Sequence, residues 1–241
     1  MASGRTAEPA SWNRYVYCYN GALILVDPDG QDVAMLDEKA KQRVLSTLSS
    51  AIRSQVEKQI GKDGVLKKGA LDKIKSAEGN FQDLKSLVNG EGVVEVMTSA
   101  KDAKGNEFEY NTPKEQEMAY REEVKGMNLS EEEIKEDTKD LKPTMKDGTT
   151  LSAEESPSKN IRVIIADGTG KTADEPAARF AQTTAHELYG HALRAQRGQS
   201  WRHDDGGPVD VYIFKVIEPR TAKLYQPPPK AASTQRRNRP K

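Results

Sequence analysis

Apolar residues recur at helical spacing over two stretches, 37–60 and 66–88: first Val44, Leu48, Ile52, Val56 and Ile60, then Leu71, Ile74, Phe81, Leu84 and Leu87. Steps of three and four put such residues on one face of a helix, so each stretch predicts an amphipathic helix that packs through its stripe. The pattern then changes. Val93–Met97 and Glu107–Tyr110, separated by a turn containing Lys and Gly, predict a hairpin, and Ile161–Ile165 is the strongest strand signal in the chain because it is rich in β-branched residues between polar turns. A third helix is predicted over about 174–197. Phe180, Thr184, Leu188 and Leu193 form its stripe, Thr172 with Glu175 a capping box, Pro176 its first turn, and Gly198 marks its end. Helical segments followed by a small mixed sheet beside a further helix make this an α+β chain.

The remaining segments divide it. Residues 114–158 begin with alternating charges around Glu131-Glu132-Glu133 and read as a solvated helix and linker. They separate a helical region with a hairpin, 32–113, from the segment 159–226. Pro227-Pro228-Pro229 opens a basic tail over 227–241, a composition expected to be disordered. The 241 residues suffice for one medium domain with appendages, and a mean hydropathy of −0.78 implies a small core under much polar surface. Lys plus Arg and Asp plus Glu both total 37, so no global basic field points to nucleic acid. The single cysteine, Cys18, excludes a disulfide within one chain. No apolar run is long enough to span a bilayer, and residues 1–15 lack the apolar core of a signal peptide.

The chemistry concentrates in 186–203, which contains all three histidines. His186-Glu187-Leu188-Tyr189-Gly190-His191 places a carboxylate beside the first of two imidazoles. Two imidazoles can hold Zn²⁺, and a neighbouring carboxylate can take a proton from water. On a straight α-helix, residues five apart point about 140° away from one another. The two histidines can therefore meet on one ion only if a π-turn absorbs the extra residue, and Gly190 eases that distortion. Met on one tetrahedral ion, their ligand nitrogens should lie about 3–3.5 Å apart.

The motif resembles the H-E-L-L-G-H zinc motif of the dipeptidyl peptidase III family, departing from it at Tyr189. The resemblance implies a zincin-like metallopeptidase with His186 and His191 as ligands and Glu187 as general base. For the third ligand Glu218 is favoured, since Glu218-Pro219-Arg220 matches the inner E-x-R of that family's E-E-C-R-A-E segment. His203 is the rival, with a further reading as a residue that supports the ligands or binds substrate; Asp204, Asp205 and Asp210 are the remaining candidates. Tyr212, Arg220 and Tyr225 are candidate donors to a developing oxyanion. The turn Asp167-Gly168-Thr169-Gly170-Lys171-Thr172 is not a phosphate loop, because the first glycine of that motif would fall on Ile165.

A second resemblance lies at the amino terminus. Trp12-Asn13-Arg14-Tyr15-Val16-Tyr17, running through Leu23–Val26 into Asp27-Pro28-Asp29-Gly30, resembles the last repeat of the Rhs/YD-repeat core and its D-P-x-G junction. Residues 1–31 would then be a remnant of the repeat shell and everything from about residue 32 a toxin or effector. The resemblance implies secretion or delivery into a target cell as part of a larger precursor, a protein or peptide substrate there, and a cognate immunity protein. Joined to the zinc motif, it predicts a metallopeptidase toxin. The other classes open at this point are a metal-dependent hydrolase of a non-peptide bond and a non-catalytic binding or structural module.

Overall fold

The computed structural model describes residues 32–127, 129–142 and 144–225. The repeat-like segment 1–31 and the basic tail 227–241 lie outside the described residues. The chain is α+β, with a five-stranded mixed sheet and a separate two-stranded ribbon.

The sheet has the order β2-β1-β3-β7-β6, with β1 at Asp32–Met35, β2 at Val65–Lys67, β3 at Val94–Ser99, β6 at Gly148–Leu151 and β7 at Ile161–Ala166. β1, β3 and β7 run parallel; β2 and β6 are antiparallel edges. β7 is buried at five of its six positions, as its β-branched run requires. One sheet thus draws strands from 32–113, 114–158 and 159–226 alike. The expected 93–110 hairpin does not form. β3 instead pairs with β1 and β7, one isolated bridge joins Lys101 to Glu107, and β4 (Glu109–Asn111) pairs with β5 (Thr144–Lys146) to make the ribbon.

The first predicted helix is two, α1 (Glu38–Ser46) and α2 (Ser50–Glu57), broken at Thr47–Ser49. Asp37 caps α1 through the Ala40 N–H at 2.7 Å while its other oxygen binds the Thr98 N–H at 2.8 Å, tying the helix to β3. The second prediction holds only for its last part. Val65–Lys67 is strand, Leu71 and Ile74 pack from turns, and α3 begins at Gly79 and ends at Val88. The charged segment forms α4 (Pro113–Glu123) and α5 (Glu131–Thr138), both with capping boxes; α4 buries no residue and α5 only Ile134. These two helices are exposed as solvated helices are, but the rest of 114–158 is no linker, since it supplies β5 and β6 and buries Asp147, Thr150 and Ser156.

The functional helix is α6 (Ala177–Ala185), a π-helical turn (His186–Ala192) and α7 (Leu193–Gln196). Its start differs from expectation: Pro176 is the N-cap, Thr172 donates to the Thr169 carbonyl at 2.9 Å within a short 3-10 turn, and Glu175 is buried. A second interrupted helix, α8 (Pro208–Tyr212), a π-turn (Ile213–Ile217) and α9 (Glu218–Ala222), packs across it. Tyr189 is fully buried and its hydroxyl meets Thr47 Oγ1 at 2.7 Å, so the residue that departs from the zinc motif finds its polar partner between α1 and α2. Among the described residues no helix is long and apolar enough to cross a membrane.

Candidate metal centre

The π-turn brings His186 and His191 onto one side of their helix, with Nε2 atoms 3.1 Å apart. That is the separation expected of two ligands on one tetrahedral ion. Gly190 contributes through its missing side chain: a Cβ there would fall 2.6 Å from Cγ1 of Ile213. The two π-turned helices approach one another at this glycine.

His203 comes in from the loop between them. One ligand atom from each of His186, His191 and His203 lies within 4.8 Å of the others, so these three histidines could hold a metal ion. Each ring is held through Nδ1. His186 Nδ1 meets Glu218 Oε1 at 2.8 Å, His191 Nδ1 bonds the Trp201 carbonyl, and His203 Nδ1 meets Asp210 Oδ1 at 2.6 Å. An oxygen that accepts from Nδ1–H fixes the tautomer with a lone pair on Nε2, the arrangement common to metal-binding histidines. With both rings neutral, this turns the Nε2 lone pairs of His186 and His191 toward one another across 3.1 Å, a gap that either a proton on His186 or a metal cation can bridge.

Glu218 is therefore not placed as the third ligand. Its carboxylate grips the nitrogen of His186 that faces away from His191, and its other oxygen lies 3.6 Å from Arg179. It braces His186, and the side chains whose ligand atoms converge are His186, His191 and His203. Asp204 caps α8, accepting from the Val209 and Asp210 N–H groups at 3.1 Å each; Asp205 forms a left-handed turn at φ 49°; Asp210 supports His203. The three candidate oxyanion donors point elsewhere. Tyr212 and Arg220 bond Asp83, Tyr225 bonds the Ser46 carbonyl at 2.8 Å, and none lines the cleft.

Glu187 is buried beside the histidines and takes a 2.6 Å hydrogen bond on Oε2 from Thr150 of β6. Among the described residues no hydrogen bond engages its Oε1. Gly148 permits this proximity, since a Cβ there would come within 2.7 Å of Cγ of Glu187.

Burial opposes charge throughout the site. It pushes the Glu187 carboxyl up, against the His186 charge and the Thr150 hydrogen bond. It depresses His191, with help from His186, to about 4. Burial also works against protonation of His186, but its hydrogen bond to Glu218 and the charges of Glu187 and Glu218 outweigh it and raise that imidazole. For Glu218 burial is likewise overcome, by the hydrogen bond and charge of His186 and by Arg179, so the carboxyl is held below its usual range. The two neighbouring rings are thus driven in opposite directions, His186 toward its charged form and His191 toward its neutral one.

The site opens on a cleft of about 1110 Å³. The cleft is lined by His186, Glu187, His203, Phe214 and Glu218, and also by residues of the loop 102–107, of the ribbon and by Lys171. β6 lines it too, and its outer edge has no strand partner among the described residues. The Asp147 carbonyl accepts from the Ala166 N–H at 2.8 Å, so by antiparallel alternation the backbone groups of Gly148 and Thr150 face away from β7.

Thr150, Trp201 and Arg179 escape sequence reasoning, since hydrogen-bonding threonines are everywhere and a backbone carbonyl has no sequence signature; Asp210, a candidate ligand, instead holds His203. Comparison with protein-family models, curated proteins and solved structures returns no match for this chain. The meaning of the site rests on its geometry.

Proposed function

We propose that this chain is a zincin-like, zinc-dependent peptidase that cleaves a protein of a target cell, the effector part of a larger Rhs-type precursor. One observation carries the reading: three imidazoles with Nδ1 atoms held by oxygen acceptors bring their metal-binding nitrogens together beside a buried glutamate. An all-nitrogen set of three suits Zn²⁺ and leaves one position open for chemistry. Bound there, Zn²⁺ would supply Lewis acidity toward a carbonyl and acidify water.

The chain's own groups supply the rest. Glu187, its carboxyl raised by burial, accepts the proton of the attacking water on Oε1 and returns it to the leaving amine, while Thr150 holds Oε2 in place. The outward N–H and C=O groups of Gly148 and Thr150 pair with an extended peptide as a further strand, which brings its carbonyl toward the histidines. A cleft of about 1110 Å³ that also takes in the ribbon and the loop 102–107 has room for several residues of an extended chain, which favours an endopeptidase over an enzyme that trims chain ends. The Rhs-like junction at residues 27–30 supports delivery from a larger precursor and a cognate immunity protein that blocks the cleft.

Zinc content and cleavage of a denatured protein mixture test this together. Near one zinc per chain is expected in the wild type and in Glu187→Ala, with cleavage abolished in the latter, and loss of zinc in His191→Ala and His203→Ala. Wild-type protein that takes up no zinc on reconstitution overturns the reading. Bound zinc with hydrolysis of nucleotides or esters but not peptides would assign the site to the second class, a metal-dependent hydrolase of another bond.

A further inference from the structure

Arg179 lies on the helix that carries His186 and Glu187, two turns before His186, and lines the same cleft. Its surroundings are anomalous for a guanidinium. The side chain is 19% exposed, and its contacts are ion pairs at 3.6 Å to Glu218 and 3.8 Å to Asp147, both longer than a hydrogen bond. Nε is sealed from solvent and has no hydrogen-bond partner. A guanidinium carries five N–H donors in a rigid fork, and buried donors without acceptors are costly and rare. Of the carboxylates around it, Glu218 is committed to His186 and Asp147 to the Thr183 hydroxyl, and Glu175 makes no ion pair with it among the described residues.

We infer that Arg179 is a specificity residue that takes a substrate carboxylate through the two Nη groups of its guanidinium. The inference rests on the peptidase reading for the nature of the substrate. Planar bidentate geometry favours a carboxylate over a single carbonyl. The position of the group follows from the chain of contacts: Glu218 stands between Arg179 and His186, so the guanidinium meets the residue flanking the cleaved bond, not the reacting carbonyl. The two nearby acids weaken the pull of Arg179 at a distance. They do not fill its donors, and a metal ion would add positive charge on the same side. The carboxylate can come from the chain terminus or from an Asp or Glu side chain.

Calorimetric titration of full-length Glu187→Gln protein, loaded with zinc, separates these sources without turnover. The probes are acetyl-Gly-Gly-Phe as free acid and as amide, and acetyl-Gly-Glu-Phe-amide against acetyl-Gly-Gln-Phe-amide. A preference of at least about tenfold for one acidic member over its neutral partner is expected from a charge-assisted bidentate contact. It should vanish on Arg179→Gln and be partly kept by Arg179→Lys, with zinc content and melting temperature as checks on folding. Preference in the first pair identifies a terminal carboxylate, preference in the second a side chain. Equal binding within both pairs, no binding of any probe, or a preference that survives Arg179→Gln overturns the inference. Because binding is read without turnover, a carboxylate preference can stand even if peptide hydrolysis fails, and zinc-dependent cleavage can stand without it.

Discussion

A carboxylate that accepts from Nδ1–H makes the opposite nitrogen of an imidazole more basic and fixes its direction, so losing it weakens a metal site without removing a ligand. Glu218→Gln should therefore lower metal affinity about 10–100-fold while the chain still takes one ion at saturation. His203→Ala should lower affinity further and leave the ion easily stripped. Competition against a chromophoric chelator measures both; equal retention by His203→Ala and wild type would remove His203 from the ligand set. The roles of these two residues were the least legible part of the site. His186, Glu187 and His191 announce themselves by spacing, but a third ligand contributed by a separate loop has no spacing to obey. Pro219 also disfavours helical dihedrals at Glu218 on local grounds, yet Glu218 adopts φ −62° and ψ −47°. The π-turn ahead of it absorbs the backbone irregularity that proline imposes.

Between elements, the contact that matters is the meeting of the two π-turned helices. Gly190→Ala would drive a methyl group to within 2.6–2.8 Å of the Ile213 side chain. Overpacking of this kind costs about 1–3 kcal/mol, and here it would also push apart the helices that carry His191 and Glu218. A lower denaturation midpoint and weaker metal retention are expected, with partial recovery in Gly190→Ala/Ile213→Ala; independent, additive effects of the two substitutions would refute the coupling. Gly148→Ala addresses the other flank. Its Cβ would displace Glu187 while leaving the imidazoles alone, so cleavage should fall well below wild type at unchanged zinc content, and an unimpaired rate would show that Glu187 need not sit against β6. Helices and strands with strong periodicity, such as 177–196 and β7, were legible because their signal is local. The pairing of β3 was not. Its neighbours β1 and β7 lie about sixty residues away on either side, and alternation within a strand does not say which strand it joins.

At the scale of the whole molecule, a buried charge network ties the start of α6 to β6 and α1. Glu175 is 7% exposed, neither carboxyl oxygen has a donor, and Asp147, Arg179 and Arg43 surround it. Burial, then the neighbouring Asp147, push its carboxyl up to about 9 from an ordinary 4.5, against the charges of Arg179 and Arg43. The folded protein favours the neutral form of Glu175. The folded state thus binds the proton more tightly than the unfolded chain. Below pH 4.5 both states are protonated and Glu175 costs nothing. From there to about pH 9 the unfolded chain releases the proton while the folded one keeps it, so this group's contribution to stability falls steadily as pH rises. Glu175→Gln places a permanent donor where the proton sits and removes the slope. In urea denaturation at pH 5, 7 and 9, the variant should gain on the wild type with each step, the difference being smallest at pH 5. A difference that stays constant with pH would mean that Glu175 is ionised in the folded protein and that the two arginines accommodate its charge.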